Sequence, residues 1–250
     1  MTVILILFLG LCWGSLLNVI AYCSTHGETI WRPRSHCPHC LQNVDWYDLI
    51  PIISWFVLRG SCRHCRTSIS PLYPFIELIG ASAALLLWYA VQPAYIPLYF
   101  IFFSALIITI RTDAETLTID RLYTLALIPF ALLASTMKLL PITPLESLLG
   151  LSLGYGILAL VRIFSRIMRK HDGIGQGDLE LLATIGAFTG PIGCWFALLI
   201  GTICGAFYGL LFSSRQGLSA QTMIPLGAFL ALAALLTTPF IATLSHILLC

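Results

Sequence analysis

Long apolar runs, broken by short polar connections, constrain this chain more than any other feature of its sequence. Hydrophobic residues make up 58% of its 250 residues and charged residues only 10%, with a mean hydropathy of +0.93. Soluble domains carry about a quarter charged residues, so the composition argues against a single large soluble core. It predicts an all-α polytopic membrane protein, because helices satisfy their own backbone groups in lipid and the runs lack the alternating polarity of membrane strands. The net charge of +2 gives no indication of nucleic-acid binding.

We predict about eight transmembrane helices, although several of the runs are shorter than the roughly 20 residues that a bilayer core requires. The predicted spans are residues 2–22, 74–91, 96–111, 122–138, 146–164, 179–192, 194–212 and 224–246. Gly186, Gly190, Pro191 and Gly193 predict a turn between the sixth span and the seventh.

The basic residues predict how the chain is oriented in the membrane. Twelve of the 13 Lys and Arg residues fall in connections on one side, and only Lys138 falls on the other. The positive-inside rule makes the first side cytoplasmic and places both termini outside. Because no basic residue precedes the first run, we interpret it as a retained anchor rather than a cleaved signal peptide.

The one long polar stretch, residues 23–73, contains two Cys-x-x-Cys pairs. Cys37 and Cys40 are separated from Cys62 and Cys65 by 21 residues. Four cysteines at this spacing are typical of a tetrahedral zinc site, and a closed shell of four thiolates is structural. Such a metal would order a loop that has little apolar core of its own.

Two other interpretations of the cysteine pairs remain open. A redox dithiol is possible because the Cys-x-x-Cys spacing lowers a thiol pKa, whereas stable disulfides are rare in the cytoplasm. His36, His39 or His64 would be the alternative ligands if one cysteine were not used.

Two aspartates lie at the ends of apolar runs on the predicted cytoplasmic side. Asp113 closes the third run, and Asp178, 65 residues further along, opens the sixth. Two carboxylates held close together can activate water for attack on a peptide bond. Acidic residues are also costly in a membrane, which favours a functional role. The opposing interpretation is that Asp113 is a solvated helix-end residue and Asp178 a helix N-terminal carboxylate favoured by the macrodipole.

Three features favour catalysis at the aspartates. Gly173, Gly175 and Gly177 remove side chains before Asp178, so that a substrate backbone would have room to approach. Both aspartates share one predicted side, and the short polar connection 114–121 would admit water beside Asp113.

Several further motifs occur in a fixed order along nearly the whole chain. They are Gly14-Ser-Leu-Leu-Asn18, the two cysteine pairs, Trp46-Tyr47-Asp48, Tyr73-Pro74-Phe-Ile-Glu77, Gly175-Gln-Gly177-Asp178 and Ile224-Pro225-Leu-Gly227. In these motifs the chain resembles the type IV prepilin peptidases, bifunctional leader peptidases and N-methyltransferases of the membrane GxGD aspartic protease class.

The family pattern at the first catalytic aspartate, Asp-x-Asp-x-x-x-x-Pro-Asp, is only partly present. Asp113 takes the catalytic place, Glu115 replaces the second acid, Asp120 stands where proline is usual, and Arg121 stands where the last aspartate is usual. Asp120 and Glu115 therefore remain alternatives to Asp113.

The resemblance implies a specific activity. The enzyme would cleave the short basic leader from prepilin or pseudopilin precursors at the cytoplasmic edge of the bacterial inner membrane. It would then N-methylate the new N-terminus with S-adenosylmethionine. The resemblance implies catalytic roles for Asp113 and Asp178, supporting roles for Gly175, Gly177 and Glu77, and zinc at the four cysteines. It also divides the chain into a first helix (1–22), a cytoplasmic methyltransferase-associated loop (23–73) and a membrane peptidase domain (74–250).

Other classes of function stay open at this point. The paired cysteines suit a membrane redox protein, and the cytoplasmic loop suits a non-enzymatic scaffold of a secretion or pilus assembly. A transporter is the weakest alternative, because the spans contain few charges to line a path.

Overall fold

The computed structural model describes residues 1–27, 36–169, 174–216 and 224–249, and of residues 169, 212–216 and 242–249 it describes the backbone alone. Expectations that involve Arg32, Arg34, Lys170 or Gly173 therefore lie outside the described residues.

Helices dominate the described part of the chain, as the composition predicts. They are α1 (Thr2–His26), α2 (Ile53–Val57), α3 (Leu72–Ala90), α4 (Ile96–Thr116), α5 (Arg121–Leu125), α6 (Leu127–Thr136), α7 (Pro144–Arg169), α8 (Gln176–Gln216) and α9 (Leu226–Leu249). The only β pairing in the described ranges consists of two isolated bridges in the cysteine loop, His36 with Asn43 and Ser61 with Ser68.

Five of these helices, α1, α3, α4, α7 and α8, are long and apolar enough to cross a membrane. Two shorter apolar segments, Arg121–Thr136 and Leu226–Ile241, accompany them. The chain is an integral membrane protein. Gly190 divides α8 into two segments. With this division, the five long helices and the two shorter segments of the described residues give about eight helical segments.

The turn expected over residues 186–193 occurs at Gly190. The Cys194 thiol donates to the Leu182 carbonyl oxygen at 3.9 Å, whereas residues 12 apart in one continuous helix would be about 18 Å apart, so the chain reverses direction here. Helical structure continues on both sides of Gly190, which alone leaves the helical region with φ 71° and ψ −175°. That conformation favours glycine, and Pro191 then begins the next segment, where its missing N–H costs nothing.

The chain divides into two compact units, Met1–Leu86 and Leu87–Cys250. In the first unit, glycines bring α1 and α3 into backbone contact. A Cβ on Gly80 would lie 2.7 Å from the Gly10 carbonyl oxygen and from the Gly14 Cα. The Asn18 amide side chain donates to the Tyr73 carbonyl at 3.1 Å, which fixes the start of α3 against α1.

The second unit is assembled around α8. A Cβ on Gly150 of α7 would lie 2.1 Å from the Gly186 carbonyl oxygen of α8, so the two backbones touch. Small residues allow such close approach in membrane proteins. The rings of Phe102 in α4 and Phe188 in α8 stack with their centroids 4.3 Å apart. This packing brings the end of α4 to the beginnings of α8 and α9.

Candidate active site

Asp113 and Asp178 face one common point at the start of α9. A Cβ placed on Gly227 would lie 3.1 Å from Oδ2 of Asp113 and 3.1 Å from Oδ1 of Asp178. The two oxygens are therefore separated by no more than twice that distance. The structure brings together the two aspartates that the sequence singled out, with glycine as the only residue type that leaves the space between them free.

The carboxylate of Asp113 is held by the first turn of α9. Asp113 lies near the end of α4 and is 5% exposed, and the Ala228 amide donates to its Oδ2 at 2.7 Å. Ala228 is the third residue of α9, so its N–H lacks a partner within that helix. The N-terminal end of a helix also favours a negative charge, and Asp113 thus supplies a cap from a different helix.

Asp178 is oriented by its own helix. It is the third residue of α8, and its Oδ2 accepts a hydrogen bond from the Gly175 amide at 3.2 Å. This is the reach of a carboxylate back to the residue before the helix, as in a capping box. The other oxygen, Oδ1, is the one that faces Asp113.

The two acids that competed with Asp113 are engaged elsewhere. Glu115 forms an ion pair with the buried Arg111, one helical turn away on α4. Asp120 caps α5, since its Oδ1 accepts from the Leu122 amide at 3.0 Å. These contacts support Asp113 as the partner of Asp178.

The missing side chains at Gly177 and Gly227 make room for a residue of this chain. A Cβ on Gly177 would lie 2.8 Å from Cβ of Ile119, and one on Gly227 would lie 2.5 Å from Cδ1 of the same residue. Ile119 therefore forms the apolar wall of the site. No pattern in the sequence indicated a role for Ile119. The sequence predicted that Gly177 would leave room for a substrate backbone, whereas the space is occupied by Ile119. Among the described residues, a Cβ on Gly175 would meet only the Asp178 carboxylate, at 3.2 Å from Oδ2.

An ion pair links the start of α5, which follows the short connection after Asp113, to α8. Arg121 donates from Nε and Nη2 to the two carboxylate oxygens of Glu180, at 3.0 and 2.7 Å. Sequence reasoning noted Arg121 as a departure from the family pattern and did not identify its partner.

The four cysteines of the polar loop converge as their spacing predicts. The Sγ atoms of Cys37, Cys40, Cys62 and Cys65 all lie within 4.8 Å of one another, and those of Cys37 and Cys65 are 3.7 Å apart. Four thiolates at tetrahedral Zn–S distances would be separated by about 3.8 Å, so this donor set fits zinc. Hydrogen bonds from the Thr67 hydroxyl and amide lower the pKa of the Cys65 thiol to about 6, which favours the thiolate that binds metal.

Both cysteine pairs adopt the same strained turn. In the first pair the Leu41 amide donates to the Cys37 carbonyl, and in the second the Arg66 amide donates to the Cys62 carbonyl. Leu41 and Arg66, each directly after the second cysteine, have φ of 57° and 58°. Positive φ is costly for residues other than glycine, and it persists where the surroundings require it. A metal bound by all four cysteines would provide such a requirement in both turns.

The loop around these cysteines is tied together by buried carboxylates. The Asp48 carboxylate accepts two hydrogen bonds from Arg63, at 2.8 and 2.6 Å. Glu77 of α3 accepts from the Ile52 amide at 2.7 Å and so anchors the loop to the helix that follows it. This contact is structural, and the supporting role in catalysis that the resemblance implies for Glu77 stays a prediction.

Comparison with known proteins agrees with this geometry. Residues 8–91 match the bacterial peptidase A24 N-terminal domain, and residues 100–210 match the type IV leader peptidase family. A type 4 prepilin-like proteins leader peptide-processing enzyme of Escherichia coli O78:H11 (strain H10407 / ETEC) is 30% identical over 91% of this chain and 90% of its own length. A prepilin leader peptidase/N-methyltransferase of Dickeya chrysanthemi is 32% identical over 90% of this chain and 88% of its own length. No solved structure matches the chain significantly.

The family match and the convergence of Asp113 and Asp178 in a helical membrane protein place the chain in the class of membrane aspartic proteases. The chain is a member of the type IV leader peptidase family.

Proposed function

We propose that this chain cleaves the short basic leader from prepilin or pseudopilin precursors, with Asp113 and Asp178 as its catalytic pair. The observation that carries the proposal is the approach of Asp113 Oδ2 and Asp178 Oδ1 to one point beside Gly227. The names of the curated relatives agree with this substrate class.

The reaction follows from two carboxylates that share one proton. The ionised carboxylate takes a proton from a water molecule as the water oxygen attacks the peptide carbonyl carbon. The protonated carboxyl donates to the carbonyl oxygen and, as the C–N bond breaks, a proton passes to the leaving amine. The Ala228 and Gly175 amides hold the two carboxylates in place, and Ile119 shields one side of the site from water.

We place the site at the cytoplasmic edge of the bacterial inner membrane, with both chain termini outside. The distribution of basic residues supports this orientation. An apolar helix of the precursor would then lie in lipid while its basic leader stays in water, which presents the junction between them to the aspartates.

We further propose that the same enzyme N-methylates the new N-terminus with S-adenosylmethionine. Among the side chains that the structure describes, we assign none to this methyl donor. Zinc held by Cys37, Cys40, Cys62 and Cys65 would order the loop, and it takes no part in cleavage. On this view residues 1–22 form the first transmembrane helix, residues 23–73 the methyltransferase-associated loop, and residues 74–250 the peptidase domain.

Mass spectrometry of a co-expressed prepilin-like precursor tests the proposal, because it reports the cleavage position and N-terminal methylation together. Asp113→Asn and Asp178→Asn should each lower cleavage by about 10²–10⁴-fold, the usual contribution of a general acid or base. Asp120→Asn is the matched control: asparagine also caps helices well, so folding and cleavage should persist.

Normal processing by Asp113→Asn would show that the aspartate assignment is wrong and would make Asp120 the next residue to test. A redox protein or a scaffold would retain its function in both aspartate variants.

A further inference from the structure

The ion pair between Arg121 and Glu180 differs from an ordinary surface ion pair because its carboxylate is buried. The Arg121 side chain is 65% exposed, whereas that of Glu180 is 3% exposed. A buried carboxylate without a partner is costly, and a two-pronged guanidinium contact fixes both distance and orientation. Gln176 also donates to Glu180 Oε1 at 3.3 Å. Both oxygens of Glu180 are therefore occupied.

The pair connects the two segments that carry the aspartates. Arg121 begins α5, directly after the short connection that follows Asp113 and α4, and Glu180 lies two residues after Asp178 on α8. A second contact joins the same elements, since the Thr184 hydroxyl of α8 shares its proton between the Glu180 carbonyl of its own helix at 2.8 Å and the Thr124 carbonyl of α5 at 3.0 Å. Ile119, two residues before Arg121, is thereby pressed against Gly177 and Gly227.

We propose that Arg121 and Glu180 are positioning residues that set the separation of the Asp113 and Asp178 carboxylates and the seating of Ile119 beside them. The inference rests on the proposed peptidase function, which it deepens. Neither residue touches the substrate; both act through the backbone segments on which the aspartates lie. A misplacement of about 1 Å at a reacting centre is enough to cost about 10²-fold in rate.

The charges also explain a departure from the family pattern. Arg121 occupies the place where the resemblance has an aspartate, which would put two carboxylates together if position 180 stayed acidic. An arginine at 121 against a glutamate at 180 keeps the contact attractive. The contact requires opposite charges at positions 121 and 180. An acidic residue at 121 with a basic residue at 180 should therefore position the aspartates equally well.

Steady-state kinetics in detergent or nanodiscs, with a prepilin-like precursor as substrate, tests the proposal. Arg121→Gln and Glu180→Gln should each lower kcat by about 10- to 10²-fold with KM nearly unchanged, because the aspartates are displaced while precursor binding is kept. The double variant Arg121→Asp with Glu180→Lys should return kcat to within about threefold of the wild type, since the contact is restored with reversed sign. Arg121→Lys keeps the positive charge but cannot form two parallel hydrogen bonds to the carboxylate. Its kcat should therefore lie between that of the wild type and that of Arg121→Gln.

A matched control separates positioning from general stability. Arg63 and Asp48 form an equivalent pair, with an arginine 42% exposed and a carboxylate 8% exposed, in the cysteine loop. Arg63→Gln should leave the kcat of leader cleavage unchanged. The unfolding temperatures of Arg121→Gln and Arg63→Gln should fall by similar amounts, so that only the first loses kcat.

Wild-type kcat in both Gln variants would overturn the inference, and so would a reversed pair no more active than the weaker single variant. A loss of kcat that only follows a loss of folded protein would also overturn it. Failure of the proposed function is distinguishable, because Asp113→Asn would then cleave the precursor as the wild type does.

Discussion

The replacement Gly227→Ala places one methyl group at the point where the two aspartates meet. The new Cβ would lie 2.5 Å from Cδ1 of Ile119 and 3.1 Å from an oxygen of each aspartate. Gly227 is not among the positive-φ residues of the described chain, so its backbone accepts alanine. Any effect must come from the space that the methyl group fills.

The expected change in stability is small, because two contributions oppose each other. Alanine is favoured over glycine in a helix by up to about 1 kcal/mol. An extra methyl group in a packed site costs about 1–3 kcal/mol, here mainly through the displacement of Ile119. The net destabilisation is therefore about 0–3 kcal/mol. Cleavage should fall by about 10²-fold or more, since the methyl group occupies the place that the attacking water needs.

The assay pairs cleavage of a purified precursor with thermal unfolding in the same detergent. Gly156→Ala is the control: Gly156 lies in α7, and apart from its own helix no described residue has a heavy atom within 4 Å of an added Cβ. That variant should keep full activity and unfold at the same temperature or slightly higher. Full cleavage by Gly227→Ala would refute the placement of the reacting water between Asp113 and Asp178.

Three further predictions concern packing, metal and pH. Gly150→Ala should lower the unfolding temperature far more than Gly156→Ala, because its Cβ would lie 2.1 Å from the Gly186 carbonyl oxygen; equal unfolding temperatures would contradict the backbone contact between α7 and α8. Elemental analysis should find one zinc per wild-type chain and none in Cys37→Ser, and this variant should lose N-methylation while it keeps leader cleavage; full zinc occupancy in the variant would contradict the site. The hydrogen bonds from Arg63 lower the pKa of Asp48, so the stabilisation that this carboxylate gives is complete above its unfolded pKa of about 3.9 and is lost as the pH falls through the lower folded pKa. The difference in unfolding temperature between the wild type and Asp48→Asn should therefore shrink below about pH 4, and a difference independent of pH would contradict the ionised pair.

Most of the correct sequence predictions came from short-range patterns, namely apolar runs and the spacing of cysteines. The apolar runs predicted membrane helices, and the structure contains them because each run is long enough to satisfy its own backbone and too apolar for water. The spacing of Cys37, Cys40, Cys62 and Cys65 predicted a four-cysteine cluster, since each pair forms a tight turn by itself. The glycines and proline near Gly190 predicted the turn found there, since a glycine adopts the positive φ that interrupts the helix and a proline begins the next one.

Composition and residue spacing were enough to predict the helical membrane class, the four-cysteine cluster and the two aspartates to test. The three-dimensional packing was needed to show that Asp113 and Asp178 meet at Gly227, that Ile119 fills the space beside Gly177 and Gly227, and that Arg121 pairs with Glu180. These residues are distant in the chain, and no short pattern relates them. Their proximity follows from the close packing of α7, α8 and α9, where glycines let backbones touch, and that packing depends on all the helices at once.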